Sequence, residues 1–207
     1  AEEGEHNSTR LEKHAFWAID PLDGTLRFVE GKSGFATSIA LVLQSGKSFL
    51  GVVYDPIRKN IYQAIRGRGF FINGTRIYPP SKKSYEGPIH FYADQSLQKY
   101  PHFTCLQKYF HIQFVGGAVM NVIHVITHPY SCYCKPPKKN KGGCAIWDVA
   151  AVGLMVEEMQ GTSSFFDGSA LNVNRSQTVF FHDVGLVFTS SDLSYHQVRQ
   201  IFDKCSS

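Results

Sequence analysis

The chain has 207 residues, of which 43 % are apolar, 14 % aromatic and 18 % charged, and its net charge is +4. This balance excludes a disordered chain and supports a sizeable core in one large domain or a two-lobed one. The mild positive charge suits a partner that is a small phosphorylated metabolite and is too weak to mark a binder of nucleic-acid polymers.

Residues 5–14 are polar and read as a surface loop. Phe16 to Ile19 is a short apolar strand that runs into an Asp-Pro turn. Strand-like runs follow at 35–43, 49–54, 61–65, 70–72 and 76–78, separated by Ser45-Gly46, Asp55-Pro56, Gly67-x-Gly69 and Asn73-Gly74. Such spacing and turn chemistry predict an antiparallel meander. Residues 79–88, rich in Pro, Ser, Lys and Gly, read as a linker.

Beyond the linker the texture changes. Strands are expected at 89–92, 112–115, 130–134 and 185–189. Helices are expected at 97–110 (broken near Pro101), 118–127, 146–159 and 193–202. Alternation of this kind suggests an α/β lobe. The division is therefore 1–80, an antiparallel β lobe, and 81–207, an α/β lobe.

No apolar run approaches the ~18–20 residues of a membrane span, and no signal peptide is visible. The first residues, Ala1-Glu2-Glu3, lack an initiator Met, so the chain is expected to start inside a longer protein. The five cysteines have no Cys-x-x-Cys spacing, and Cys132-x-Cys134 is read as pointing its thiols to opposite faces of a strand. Free, mostly buried thiols in a reducing, cytoplasmic setting are expected. The nine histidines form no spaced ligand set and are assigned to loops. Trp17 and Trp147 are expected to pack beside the carboxylate motifs.

The chemistry concentrates in Asp20-Pro21-Leu22-Asp23-Gly24-Thr25. Two carboxylates three residues apart on a turn pre-set by Pro21 can converge on one hard cation such as Mg²⁺, with the Leu22 carbonyl as a further oxygen. Gly24 and Thr25 open toward a helical turn whose free N–H groups would face an anion. The Thr25 hydroxyl is placed to hold a water. The competing reading is an Asp-Pro turn followed by a plain Asp N-cap.

Trp17-Ala18-Ile19-Asp20-Pro21-Leu22-Asp23-Gly24-Thr25 resembles the signature of the inositol monophosphatase superfamily. That superfamily also holds bisphosphate nucleotidases and fructose-1,6-bisphosphatases. The similarity continues through Ser38-Ile39-Ala40-Leu41, Gly51-Val52-Val53-Tyr54-Asp55-Pro56 and Gly67-Arg68-Gly69-Phe70-Phe71-Ile72-Asn73-Gly74. A second signature follows at Trp147-Asp148-Val149-Ala150-Ala151. The resemblance implies an α+β fold with an α/β C-terminal lobe, a layered αβαβα sugar-phosphatase sandwich truncated at its N-terminus. Homodimers are common in the family, so a dimer is expected.

By resemblance, Glu2, Asp20, the Leu22 carbonyl, Asp23 and Asp148 would hold two or three Mg²⁺ ions. Thr25 and Glu2 would orient the attacking water. Four carboxylates near one point make sense mainly around cations. Gly116-Gly117-Ala118 resembles the family's Gly-Ser-Ala step at a helix start facing the substrate, with Gly117 in place of Ser. Residues 27–35 are spaced as in bisphosphate nucleotidases. The loop Lys135-Pro136-Pro137-Lys138-Lys139-Asn140-Lys141 could hold a second phosphate, with Lys141 among its contacts, or stand as a solvated basic loop. The expected activity is Mg²⁺-dependent phosphomonoester hydrolysis on a 3'(2'),5'-bisphosphate nucleotide. The alternatives are inositol 1-phosphate or fructose bisphosphate as substrate, or a catalytically silent protein that binds a phosphometabolite or a partner.

Overall fold

The computed structural model describes residues 8–80 and 87–206. Strands β1 (Ala15–Asp23), β2 (Ala36–Leu43), β3 (Ser48–Asp55), β4 (Asn60–Ile65), β5 (Gly69–Ile72) and β6 (Thr75–Ile77) form one antiparallel sheet in sequence order. The turn residues explain the meander. Asn73 and Gly74 both take positive φ, 50° and 78°, the pattern that matches a two-residue hairpin to strand twist. At Asp55-Pro56 the Asp55 carboxylate accepts the N–H groups of Ile57 (2.9 Å) and Arg58 (3.1 Å), closing the turn from its own side chain.

The second sheet is mixed, in the order β10-β11-β9-β7-β8. It comprises β7 (Ile89–Tyr92), β8 (Phe110–Gln113), β9 (Ser131–Lys135), β10 (Thr162–Phe165) and β11 (Leu186–Thr189). β7 runs parallel to β8 and β9, whereas β11 is antiparallel to β9 and β10. Helices α3 (Ala118–Thr127) and α4 (Ile146–Glu158) lie between the sheets, and α5 (Tyr195–Ser206) covers the far side of the second sheet. The layers thus run sheet, helices, sheet, helix, an α+β sandwich of the expected type.

α4 is buried on nearly all sides, as a helix between two sheets must be. The first sheet meets it with small residues: Ala18, Ala36, Ala40 and Ala64 all face the core. At Gly51 any Cβ would press on the Ala151 backbone, so glycine sets how closely helix and sheet approach. The opposite face of that sheet carries Trp17, Tyr54, Ile61 and Ile65, all solvent-exposed.

Several expectations are corrected. The helix at 97–110 is replaced by a 3₁₀ turn at Gln95–Lys99 and a short helix α2 (Phe103–Leu106) flanking Pro101, and Phe110 already belongs to β8. Proline cannot donate to a helix ladder and disfavours helical backbone before it. Strand β10 was not expected. Trp147 is buried, but Trp17 is 50 % exposed on the outer face of the sheet. Arg10, in the supposed surface loop, is buried and donates to Asn174 Oδ1 and the Arg175 carbonyl.

Cysteine is corrected twice. Cys105 and Cys205 form a disulfide joining α2 to α5, and only Cys132, Cys134 and Cys144 are free and buried. Cys132 and Cys134 share one face of β9, packed toward α5, while Tyr133 takes the other. Side chains repeat every second residue along a strand, so an i, i+2 pair cannot oppose.

Candidate metal centre and substrate cavity

The Asp20–Thr25 segment is not a free turn. It is the bulged end of β1, an edge strand: Asp20 pairs with Ser38 and Asp23 with Ala36, so one extra residue sits on β1. Pro21 is tolerated because an edge strand can spare its N–H. The bulge also explains the convergence. Phe16, Ala18 and Asp20 alternate inward, and the extra residue resets the phase so that Asp23 is buried on the same side. Leu22 N–H donates to Asp20 Oδ1 (3.0 Å), which fixes that carboxylate.

Asp148 arrives from the first turn of α4. Its Oδ2 accepts the Ala145 N–H (2.8 Å), so it closes the helix start while its other face meets Asp20 and Asp23. Carboxylate oxygens of Asp20, Asp23 and Asp148 all lie within 4.8 Å of one another. Ser38 Oγ donates to the Trp147 carbonyl (3.2 Å) and pins β2 to the entrance of α4. The N-terminus of α3 faces the same point: Val119 N–H donates to Asp23 Oδ2 (3.0 Å).

Glycines let these pieces meet. Gly24 has φ 78°, and a Cβ there would crowd the Gly34 carbonyl. Gly117 N–H donates to that same carbonyl (2.8 Å). A Cβ on Gly117 would sit inside contact distance of Asp23 Oδ2 and Gly24 Cα. Glycine where the family has serine therefore goes with a very close approach of α3 to the β1 bulge. Arg27 anchors the 27–35 segment through the Ser33 (2.9 Å) and Val115 (3.3 Å) carbonyls. Helix α1 (Thr25–Val29) starts at the expected place, and the Thr25 hydroxyl donates to the Leu22 carbonyl (3.2 Å).

The carboxylates are frustrated without a cation. Burial, then Asp20 and Asp94, pushes Asp23 up to about 8, against the Val119 N–H. Burial, then Asp23, lifts Asp148 well above the usual carboxylate range, partly opposed by the Ala145 N–H. An all-oxygen set of acids that resist ionisation together fits a hard divalent cation.

Glu2 lies outside the described residues. Gly24, Thr25, Gly116 and Gly117 lie around the triad. Lys141 is exposed and does not line the adjoining cavity of about 500 Å³. That cavity reveals a residue the sequence reading missed. Asp94 accepts hydrogen bonds from Tyr133 Oη (3.0 Å) and Asn121 Nδ2 (3.2 Å), and an ion pair from Lys135 Nζ (2.6 Å). Asp94 follows the carboxyl end of β7, which the structure shows to be parallel to β8 and β9, the place where ligands gather in open α/β sheets. Burial pulls the Lys135 pKa down, but Cys144, Asp94 and Asp148 more than offset this and raise it.

The inositol monophosphatase family matches residues 1–200. This chain belongs to that family. It is 32 % identical over 159 residues to the Nus factor SuhB of Pasteurella multocida, covering 73 % of this chain and 57 % of the relative. The chain thus spans less than two thirds of that relative's length. The Thermotoga maritima IMPase superposes with a TM-score of 0.74 at 26 % identity, over 94 % of this chain and 70 % of that one. An IMPase/NADP phosphatase solved with Mg²⁺ and phosphate shares the fold, with a TM-score of 0.75 at 22 % identity, over 97 % and 71 %.

Proposed function

We propose that this chain is the metal-binding core of a Mg²⁺-dependent phosphomonoesterase acting on a small phosphorylated metabolite. The observation that carries this is the buried triad of Asp20, Asp23 and Asp148 with its elevated acidities. These residues, with the Leu22 carbonyl and Glu2, would hold two or three ions. Bound Mg²⁺ supplies Lewis-acid polarisation of the phosphoryl oxygens and lowers the pKa of water. The protein's part is positional. The N–H groups of Gly24 and Thr25 orient the phosphate beside the α3 start at Gly116-Gly117, where the Gly117 N–H is held by the Gly34 carbonyl, and the Thr25 hydroxyl, with Glu2, holds the attacking water in line. Asp94 and Lys135 border the leaving-group side.

Within that class we favour a 3'(2'),5'-bisphosphate-nucleotidase-like preference over inositol 1-phosphate, on the spacing of residues 27–35 and the lysines of 135–141. We further propose a homodimer whose β and α/β lobes divide at residues 80 and 81; the Cys105–Cys205 disulfide removes the free-thiol ground for a cytoplasmic setting. A panel of phosphate esters tested on the whole protein with Mg²⁺ decides the substrate, and faster turnover of inositol 1-phosphate would reverse the preference. A second reading is a catalytically silent partner binder, favoured by the relatives named as Nus factors. Tight Mg²⁺ binding with no phosphate release from any ester would select it.

A further inference from the structure

The cavity beside the carboxylates has an unbalanced lining. Lys99, Lys135 and Lys138 border it, with Asp94 as its sole carboxylate. Lys135 is committed to Asp94. Among the described residues, Lys99 and Lys138 have no carboxylate within 4 Å. Two ammonium groups without counter-charge around one concavity attract an anion.

The walls are fixed rather than loose. Lys138 N–H donates to the His182 carbonyl (2.7 Å), which ties the lysine loop to the chain before β11. On the other wall, the Gln95–Lys99 turn is anchored by Leu97 and by Tyr100, whose ring packs against Phe202. His182 also lines the cavity, and its Nδ1 is buried without a hydrogen-bond partner among the described residues. A buried ring nitrogen left unmatched is a place where a ligand can complete the hydrogen bonding.

The position follows from Lys135. It stands at the carboxyl end of β9, 2.6 Å from Asp94, and within electrostatic reach of Asp148. The cavity therefore abuts the metal centre across the Asp94–Lys135 pair, with Asp94 also held by Asn121 of α3. Its remaining lining includes Tyr100, Pro137 and Phe181. These apolar walls offer a face to a flat ring, and Ser96 and Asn140 add polar groups beside them.

We infer that this cavity is a subsite for a second phosphate carried by a ring-containing leaving group, with Lys99 and Lys138 as its specificity-determining residues and the Asp94–Lys135 pair as its border with the metal centre. This assignment rests on the phosphatase reading above and goes beyond it by placing the second anion on particular residues. Lys99, from the Gln95–Lys99 turn, replaces Lys141 of the original loop as a contact.

The test compares adenosine 3',5'-bisphosphate with adenosine 3'-monophosphate, which differ only in the second phosphate. The whole protein with Mg²⁺ should show a kcat/KM at least tenfold higher for the bisphosphate. Lys99→Ala/Lys138→Ala, two exposed positions that the fold tolerates, should bring the ratio toward one, mainly through KM. Lys108→Ala, an exposed lysine away from the cavity, should keep it. A wild-type ratio near one, or a double variant with an unchanged ratio, overturns the subsite. If neither ester releases phosphate, the phosphatase reading fails by itself, and calorimetry with the same two ligands still decides the subsite. Tenfold tighter binding of the bisphosphate, lost in the double variant, supports it; equal binding overturns it.

Discussion

Adding Mg²⁺ to this protein at pH 7 should drive protons into solution, because the triad cannot stay fully ionised on its own. The three carboxylates approach within 4.8 Å. At that separation and an effective dielectric of about 20, each ionised pair repels by about 3.5 kcal/mol. Three charges would cost about 10 kcal/mol, on the order of the whole stability of a domain. Protons relieve the repulsion, which is why Asp23 is pushed up to about 8 and Asp148 is raised as well. One pH unit below its pKa, Asp23 is roughly nine-tenths protonated. Coordination requires the ionised form, so binding should release about one proton from Asp23 and up to about two with Asp148. Calorimetric titration in two buffers of different protonation enthalpy counts them. The release should fall as the pH is raised past 8, and the apparent affinity should weaken as the pH falls below it. Mg²⁺ binding at pH 7 with no proton release would refute the reasoning.

Other perturbations follow from the same structure. Gly117→Ala places a methyl group against Asp23 Oδ2 and Gly24, so Mg²⁺ affinity should drop at least tenfold while far-UV circular dichroism is retained; unchanged affinity would contradict the close approach. His124 is held down to about 4 by burial, then by His128 and Arg58, so the fold favours its neutral form. That contribution is complete above pH ~6.5 and is lost as the pH falls toward 4, at up to about 1 kcal/mol per pH unit after solvent screening. Urea midpoints between pH 7.5 and 4.5 should show this slope, and His124→Gln should flatten it; an equal slope in the variant would count against the assignment. Cys205→Ser removes a link across 100 residues and should cost about 2–4 kcal/mol in urea unfolding, whereas equal stability with and without reductant would contradict a structural disulfide.

The legible parts of the sequence were those where local chemistry and tertiary demand agree. β7 and α3 lie where apolar pattern and flanking breakers place them, and the meander follows its Asn-Gly and Asp-Pro signals. The site was legible through two short motifs, because Asp20, Asp23 and Asp148 carry their chemistry in the residue type. What stayed hidden depended on contacts distant in sequence. β10, with Thr162, Ser163 and Ser164, lacks a strand's apolar signature and is a strand because β11 pairs with it. Cys105 and Cys205 meet only when α5 returns to α2. The outward Trp17 follows from strand alternation once Asp20 is known to face inward. Asp94 stands outside any motif, and its role rests on partners at 121, 133 and 135.

The most direct test of the central claim is phosphate release by the whole protein from adenosine 3',5'-bisphosphate, with Mg²⁺ and with EDTA, beside Asp20→Asn. Hydrolysis that needs Mg²⁺ and falls at least a hundredfold in the variant is the predicted result. Near-normal Mg²⁺-dependent hydrolysis by Asp20→Asn would contradict the metal centre assigned to the triad.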